Sequence, residues 1–295
     1  MKQVLNIGIV GLGLIGGSLA LDLQAQGHTI WGVSRRLTTC QAALAQAMVS
    51  YASTSLDSLA EVDMVFVCTP LSAIVPTVTQ LAQILKPTAV ITDVGSVKGE
   101  LVTAATEQWA NFVGGHPMSG KAEAGLAAAS RHLFRGRPYV LTPLSHTCPQ
   151  AIEQVTALIH QLGSTLHITD PQSHDQAVAL ISHLPVMLGA SLLHTSTTDP
   201  LHGLAQQLAS SGFRDTSRVG GGNPELGTLM ARHNRAALLV ALNRYRTELD
   251  HLTQAIEQQD WTQVEAYLTA AQAYRPDFVS ESGAAVPLRT GEHLH

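Results

Sequence analysis

The segment NIGIVGLGLIGGSLALDLQAQG constrains this chain more than any other stretch. Asn6 to Val10 is a short apolar run of strand composition that passes directly into Gly11-Leu12-Gly13-Leu14-Ile15-Gly16. A helical pattern follows and closes at Gly27, so the glycines sit at a strand-to-helix turn. Gly11 permits the tight turn, Gly13 lets the backbone approach a pyrophosphate, and Gly16 lets helix and strand pack closely. The helix start at Leu14 and Ile15 offers free N–H groups to phosphates. The segment predicts a dinucleotide-binding unit, with a tight turn that holds no ligand as the plain alternative. It is apolar enough to resemble a signal sequence, but the ordered glycines and the lack of a small-residue cleavage site favour strand, loop and helix.

Further strand-like runs follow at 29–33, 64–68, 89–93, 111–114, 139–142 and 165–168, separated by helical patterns. That alternation predicts an α/β, Rossmann-type, doubly wound and mainly parallel sheet. VDMVFVC and TAVITDV are almost continuously apolar, as strands covered on both faces should be. At Thr169-Asp170-Pro171 the pattern changes: an N-cap Asp and a Pro at the first helical position open a helix that Pro185 should kink or end. After the expected loop SSGFRDTSRVGGGNPE, a long helix is predicted from about Asn234. Its apolar positions Leu238, Leu242, Tyr245, Leu249, Leu252 and Ile256 alternate in spacings of four and three, a seam that needs a partner helix. The partner is either another helix of the same domain or a second copy of the chain. The expected division is a dinucleotide-binding domain over 1–170, an all-α substrate and dimerisation domain over 171–280, and a tail over 281–295, periodicity fading after about residue 276.

Composition narrows the partners. Only 13% of the 295 residues are charged and 45% are apolar, which favours a large buried surface or a homodimer. With net charge −5 and no basic run beyond Arg35-Arg36, nucleic acid is not an expected partner. No uninterrupted apolar run reaches about 18 residues, so no membrane span is expected. Cys40, Cys68 and Cys148 lie far apart with no metal-ligand spacing, which suits a reduced cytoplasm. The 14 histidines include no HExxH, and no metal is indicated.

An NAD site would carry Asp or Glu at the end of the second strand, to take the ribose 2′-hydroxyl. Ser34 stands there, followed by Arg35 and Arg36. A hydroxyl and two guanidinium groups with no carboxylate fit a 2′-phosphate, so NADP is the expected cofactor unless both arginines are ordinary solvated charges. The remaining polar groups at strand ends are few. Thr69 and Pro70 follow VDMVFVC on the cofactor side, Gly95-Ser96-Val97-Lys98 follows TAVITDV, and Gly115-His116-Pro117 follows ANFVG. Only His116 exchanges a proton near neutral pH, which makes it the candidate general base, or else a loop histidine with a structural bond. Ser96 is placed to orient it or is simply a helix N-cap. Lys98 and Lys121 read as surface lysines in preference to substrate contacts. His183 in ISHLP is equally a ligand or a core histidine, and Arg218 equally an anion binder or a loop charge.

GLGLIGGSLA, TDVGSVK, GGHPMSG, HDQAVALISHLP and GFRDTSR, in that order, make the chain from residue 5 to about 275 resemble the prephenate/arogenate dehydrogenase family of tyrosine biosynthesis. The resemblance implies a Rossmann domain followed by a helical dimerisation domain, with the active site between them. It also implies hydride transfer from the ring C4 to the nicotinamide, loss of the ring carboxylate as CO2, and aromatisation. His116 then resembles the histidine that takes the C4 hydroxyl proton, and Ser96 the serine bonded to that hydroxyl and to the histidine. Arg218 resembles the arginine that binds a substrate carboxylate, and His183 the histidine that begins the HLP segment. Many prephenate-using members read HLPH, whereas Val186 follows Pro185 here; with Ser34 and the arginines, that favours arogenate and NADP. No appended regulatory or mutase domain is expected, so any product inhibition is expected to act at the active site. Two other readings remain: a β-hydroxyacid dehydrogenase, which would use a helical lysine instead of a strand-end histidine, and a non-catalytic NADP sensor.

Overall fold

The computed structural model describes residues 4–121 and 123–279; the expected tail, 281–295, lies outside them. The chain opens with β1 (Asn6–Val10), α1 (Leu14–Ala25), β2 (Thr29–Val33), α2 (Leu37–Ala45) and β3 (Tyr51–Ser53). It continues through β4 (Met64–Val67), α3 (Leu71–Leu81), β5 (Val90–Asp93), α4 (Gly99–Gln108) and β6 (Phe112–Pro117), then β7 (Pro138–Thr142), α5 (Pro149–Gln161) and β8 (Thr165–Ile168). The strands form one sheet in the order β3-β2-β1-β4-β5-β6-β7-β8. Neighbours pair in parallel except β6 with β7. The strand order reverses between β1 and β4, and ligands of such sheets sit beyond the strand ends at that switch.

Alternate side chains of each central strand enter opposite layers. Met64 and Phe66 of β4 join Ile7, Ile9, Leu19 and Leu158, while Val65 and Val67 join Ile74, Val78 and Val102. Burying each such side chain is worth about 1.5–3 kcal/mol, and a one-residue slip would exchange the two layers, so the register is firmly set. The predicted strands all form, and β6 runs on to Pro117, which puts His116 inside the strand, opposite Val140. The strand that sequence patterning misses is β3. Its three residues are too few to show a period, and it is held by pairing with β2 and by Tyr51 stacked on Trp31 at 4.1 Å between ring centroids.

The described chain divides into two compact units, one up to Leu238 and one from Leu239 onward. The first also holds α6 (Pro171–Val178), α7 (Leu184–Thr198), α8 (His202–Leu208), α9 (Ser211–Ser217) and α10 (Pro224–His233), with the start of α11 (Arg235–Glu257); the second holds the rest of α11 and α12 (Trp261–Phe278). Asp170 caps α6 as expected, its carboxylate accepting from the Gln172 and Ser173 N–H groups at 3.0 and 2.9 Å. Pro185 does not end the helix. A π turn, Ala179–His183, joins α6 to α7 and places Pro185 in the first turn of α7, where its missing N–H costs least. The stretch Pro171–Thr198 is therefore long and apolar enough, by length and composition alone, to cross a membrane.

The expected loop before α10 contains α9. This helix has no apolar period to read; Arg214 N–H donates to the Ser210 carbonyl, and the Thr216 and Ser217 hydroxyls bond back one turn. The glycine run after it is packed closely, since a Cβ on Gly220 would lie 2.0 Å from the Ala190 nitrogen of α7. The long helix begins where expected. Leu238 of its seam is buried, but Tyr245, Leu249 and Ile256 are 38%, 48% and 48% exposed, so half the seam is uncovered. The helical pattern also outlasts residue 276, because α12 continues through Pro276 to Phe278.

Candidate active site

The glycine loop has the geometry its sequence asks for. Gly11 sits at φ +102°, where only glycine is comfortable, and a Cβ there would lie 2.5 Å from the Cys68 carbonyl oxygen. A Cβ on Gly16 would lie 2.0 Å from the Gly11 carbonyl oxygen, so helix and turn touch directly. Gly13 differs: nothing lies within 4 Å of where its Cβ would be. It is the N-cap of α1, with Leu14 and Ile15 in the first turn, and this open approach to free N–H groups fits a phosphate. Across the switch, Thr69 Oγ1 is buried without a partner among the described residues, and Pro70 caps α3. At the end of β2 the half-buried Ser34 hydroxyl accepts the Arg36 N–H at 3.4 Å, and the side chains of Arg35 and Arg36 are exposed with no acid at the strand end. These residues fit a dinucleotide.

The second half of the site is organised by charges that sequence reading passed over. Lys98 is not a surface lysine. Its side chain and that of Asp93 are both fully buried as an ion pair, and Lys98 Nζ also donates to the Gly115 carbonyl at 2.7 Å. Asp93 accepts the N–H groups of Gly95 and Gly115 at 2.8 and 3.0 Å. A Cβ on Gly115 would lie 2.7 Å from the Asp93 carbonyl, so β6 can come this close to the end of β5 only with glycine there. The pair thereby clamps the backbone residue next to His116. Burial lowers the Lys98 pKa, and the Asp93 charge and hydrogen bond oppose that shift.

His116 Nδ1 lies 2.9 Å from His174 Nε2, and His174 Nδ1 lies 2.8 Å from Asp175 Oδ1. His174 and Asp175 are buried on α6. The Asp175 carboxylate also accepts the Lys98 and Gly99 N–H groups, both at 2.8 Å, and so caps α4. Ser96 is therefore not the cap of that helix. Nor does its hydroxyl reach His116: it is half-buried, makes no hydrogen bond among the described residues, and the partner of His116 is His174. Burial holds His116 well below the ordinary imidazole value, reinforced by His174, Lys98 and His183.

His183, 1% exposed at the end of the π turn, has a fixed tautomer. The buried Asn234 amide Nδ2 donates to the Asp175 carbonyl at 2.7 Å and to His183 Nδ1 at 3.2 Å. His183 Nε2 then carries the hydrogen, and it has no partner among the described residues. Burial lowers the His183 pKa to about 4, the nearby Asp175 charge opposing and His174 adding, so the ring is a neutral donor at pH 7. One carboxylate-bearing turn thus links His116 to His183. Arg218, by contrast, is the exposed C-cap of α9, with no hydrogen bond among the described residues to draw it toward His116. Lys121 is exposed and donates to Ser130 Oγ at 2.8 Å. Ser119 Oγ, just past the end of β6, and Tyr139 OH, on β7 opposite Pro117, are buried without partners among the described residues. Burial pushes the Cys68 thiol up, the Asp93 charge adding to the effect, which leaves it unreactive. Among the described residues no group of His, Cys, Asp and Glu converges as a metal site.

The chain is similar to known proteins along most of its length. Residues 19–168 match the family model described as prephenate dehydrogenase, nucleotide-binding domain, and residues 170–270 match prephenate dehydrogenase, dimerization domain. A prephenate dehydrogenase of Bacillus subtilis is 32% identical over 289 residues, covering 95% of this chain and 77% of its own. The crystal structure of Synechocystis arogenate dehydrogenase superposes with a TM-score of 0.86 at 45% identity, covering 93% of this chain and all of that one. The Aquifex aeolicus prephenate dehydrogenase, solved with hydroxyphenyl propionate and NAD+, gives 0.88 at 25% identity, covering 95% of this chain and 99% of that one.

Proposed function

This chain is a dehydrogenase of the prephenate/arogenate dehydrogenase family, and from that premise we propose that it converts arogenate to tyrosine by NADP-dependent oxidative decarboxylation. The observation that carries the reading is His116: a half-buried imidazole with Nδ1 engaged by His174 and Nε2 making no hydrogen bond among the described residues. NADP is favoured over NAD by Ser34, Arg35 and Arg36, which offer a 2′-phosphate a hydroxyl and two cations with no carboxylate to repel it. Arogenate is favoured over prephenate by Val186 after Pro185 and by the 45% identity to the Synechocystis enzyme.

In the mechanism, Gly11, Gly13, Leu14, Ile15 and Gly16 would hold the pyrophosphate, Ser34 with Arg35 and Arg36 would hold the 2′-phosphate, and Thr69 and Pro70 would hold the adjoining part of the cofactor. When bound, the nicotinamide supplies the acceptor for hydride from the substrate C4. His116 Nε2 takes the proton of the C4 hydroxyl as C4 becomes a carbonyl carbon. The ring carboxylate leaves as CO2, its bonding pair moves through the ring to the C4 oxygen, and His116 returns the proton to give a phenol. Ser96 donates to the C4 oxygen, Arg218 binds a substrate carboxylate, and His183 Nε2–H donates to a substrate oxygen. The chain's task is alignment and one proton transfer, for which fixed geometry suffices.

The reading includes a homodimer built on the exposed α11 seam, since residues 170–270 match a dimerization domain. It also assigns the exposed apolar surface of Pro171–Thr198 to protein contacts and not to a bilayer, includes no nucleic acid or metal, and places the reaction in the reduced cytoplasm. Prephenate conversion to 4-hydroxyphenylpyruvate by the same steps is the second reading, favoured by the relative from B. subtilis. Crossing arogenate and prephenate with NADP and NAD in a nicotinamide-absorbance assay separates them. Turnover with arogenate and NADP alone supports the proposal; turnover with prephenate alone overturns the substrate assignment; equal use of NAD overturns the role of Ser34 and the arginines.

A further inference from the structure

The hydrogen-bond chain behind His116 carries an assignment that the general-base reading does not itself contain. An imidazole acts as a base only through a nitrogen that lacks hydrogen, and which nitrogen that is depends on the partner of the other. Here the ordering starts at Asp175. Its Oδ1 accepts from Lys98 N–H and its Oδ2 from Gly99 N–H, so the carboxylate is held as an acceptor at the start of α4. Facing that acceptor at 2.8 Å, His174 Nδ1 must carry a hydrogen. In a neutral His174 the hydrogen on Nδ1 leaves Nε2 as a lone pair, and that lone pair lies 2.9 Å from His116 Nδ1. His116 must then donate from Nδ1, and its Nε2 is left bare.

We propose that His174 is a positioning residue that sets the tautomer of His116, passing the acceptor character of Asp175 through one imidazole to the next so that Nε2 of His116 is always the basic nitrogen. The proposal rests on His116 being the base. Two features give it weight beyond the distances. His174 is 2% exposed and Asp175 7% exposed, so water does not compete for these bonds. The two rings meet edge to face, with centroids 5.1 Å apart and planes at 71°, an arrangement that aims one nitrogen at the other and does not stack the rings. Without His174, isolated His116 would distribute its hydrogen between both nitrogens and rotate about its side-chain bonds.

The test uses the full-length protein with NADP bound. In wild type, 15N spectra of histidine-labelled protein, with His116 assigned by its loss in His116→Asn, should show a protonated Nδ1 and a bare Nε2 for His116, and a protonated Nδ1 for His174. His174→Leu removes the acceptor; turnover with arogenate should fall by roughly 10- to 100-fold, the size of effect seen when an outer partner of a functional histidine is removed, with KM for both substrates within about twofold. His174→Gln restores an acceptor oxygen and should recover most of the rate. A bare Nδ1 on His116 in wild type overturns the proposal even if neither variant folds. So does a folded His174→Leu enzyme at wild-type turnover, or a His174→Gln enzyme no better than it, while the base reading stands as long as His116→Asn is inactive. An active His116→Asn enzyme removes the base reading itself, and this proposal with it.

Discussion

Replacing Lys98 with Met keeps the length of the buried side chain and removes its charge, which isolates what the Asp93–Lys98 pair contributes. Neither side chain has any exposure, so Asp93 would be left ionised in the interior without its countercharge. Removing one partner of a buried ion pair costs about 3–5 kcal/mol. Asp93 retains the Gly95 and Gly115 N–H groups, which puts its share at the low end, but the Gly115 carbonyl loses its 2.7 Å donor, a further cost of about 1 kcal/mol. The expected loss is about 4 kcal/mol, a large part of the roughly 5–15 kcal/mol that holds a folded protein together. At a urea m-value of about 3 kcal/mol/M the unfolding midpoint should drop by about 1.3 M, read by far-ultraviolet circular dichroism at one fixed protein concentration. Adding Asp93→Asn should restore about half of the loss, because the uncompensated charge is then gone. A Lys98→Met protein within about 1 kcal/mol of wild type, or a double variant no better than the single, would refute the clamp.

Three further outcomes follow from the same geometry. Ser34→Asp sets a carboxylate where the 2′-phosphate is expected, so the ratio of kcat/KM for NADP over NAD should fall at least about tenfold, a difference of about 1.4 kcal/mol; an unchanged ratio sinks the cofactor assignment. His183 is neutral in the folded state down to about pH 4, while an unfolded histidine takes up a proton near 6.5. Stability should therefore fall as pH falls through that window, and between pH 7 and 5 wild type should lose at most about 2 kcal/mol more than His183→Gln in denaturant titrations, with equal losses counting against the buried neutral ring. Leu249→Asp places a charge on the uncovered seam, and light scattering after gel filtration should find monomers where wild type is dimeric; an unaltered mass would move the interface off α11.

How much of this was legible beforehand depended on whether a residue's signal is local. The glycine loop, the strand pattern and the Asp170-Pro171 start are read from neighbours in sequence, and each formed as expected. His116 was identifiable because histidine alone among the strand-end residue types has an ordinary pKa near neutrality. His174, Asp175 and Asn234 were missed because the partners that give them their roles are distant in sequence, whereas Asp93 and Lys98 stand only five positions apart and were missed because their burial is a property of the folded chain. Asp175 meets Lys98 across 77 positions and Asn234 meets His183 across 51, so no window on the chain displays either. Lys98 misled most, since a lysine after a strand normally points to water, and only the buried carboxylate of Asp93 makes its interior position tolerable. The sequence TDVGSVK does carry a hint, an acid at the end of an otherwise apolar strand covered on both faces. Likewise HDQAV places His and Asp side by side on the helix that leads to His183. The helix α9 escaped because its seven residues carry a single large apolar side chain, Phe213, and so show no period; its hydroxyl back-bonds and the close Gly220 contact are features of the folded chain alone.

The most direct test of the central claim is the His116→Asn enzyme assayed with arogenate and NADP, with the NADP Kd measured beside it by fluorescence titration. The account expects turnover to fall by roughly 10²- to 10⁴-fold while the NADP Kd stays within about twofold, because the residue moves a proton and does not hold the cofactor. Turnover within tenfold of wild type, with the protein folded and binding NADP, would contradict it.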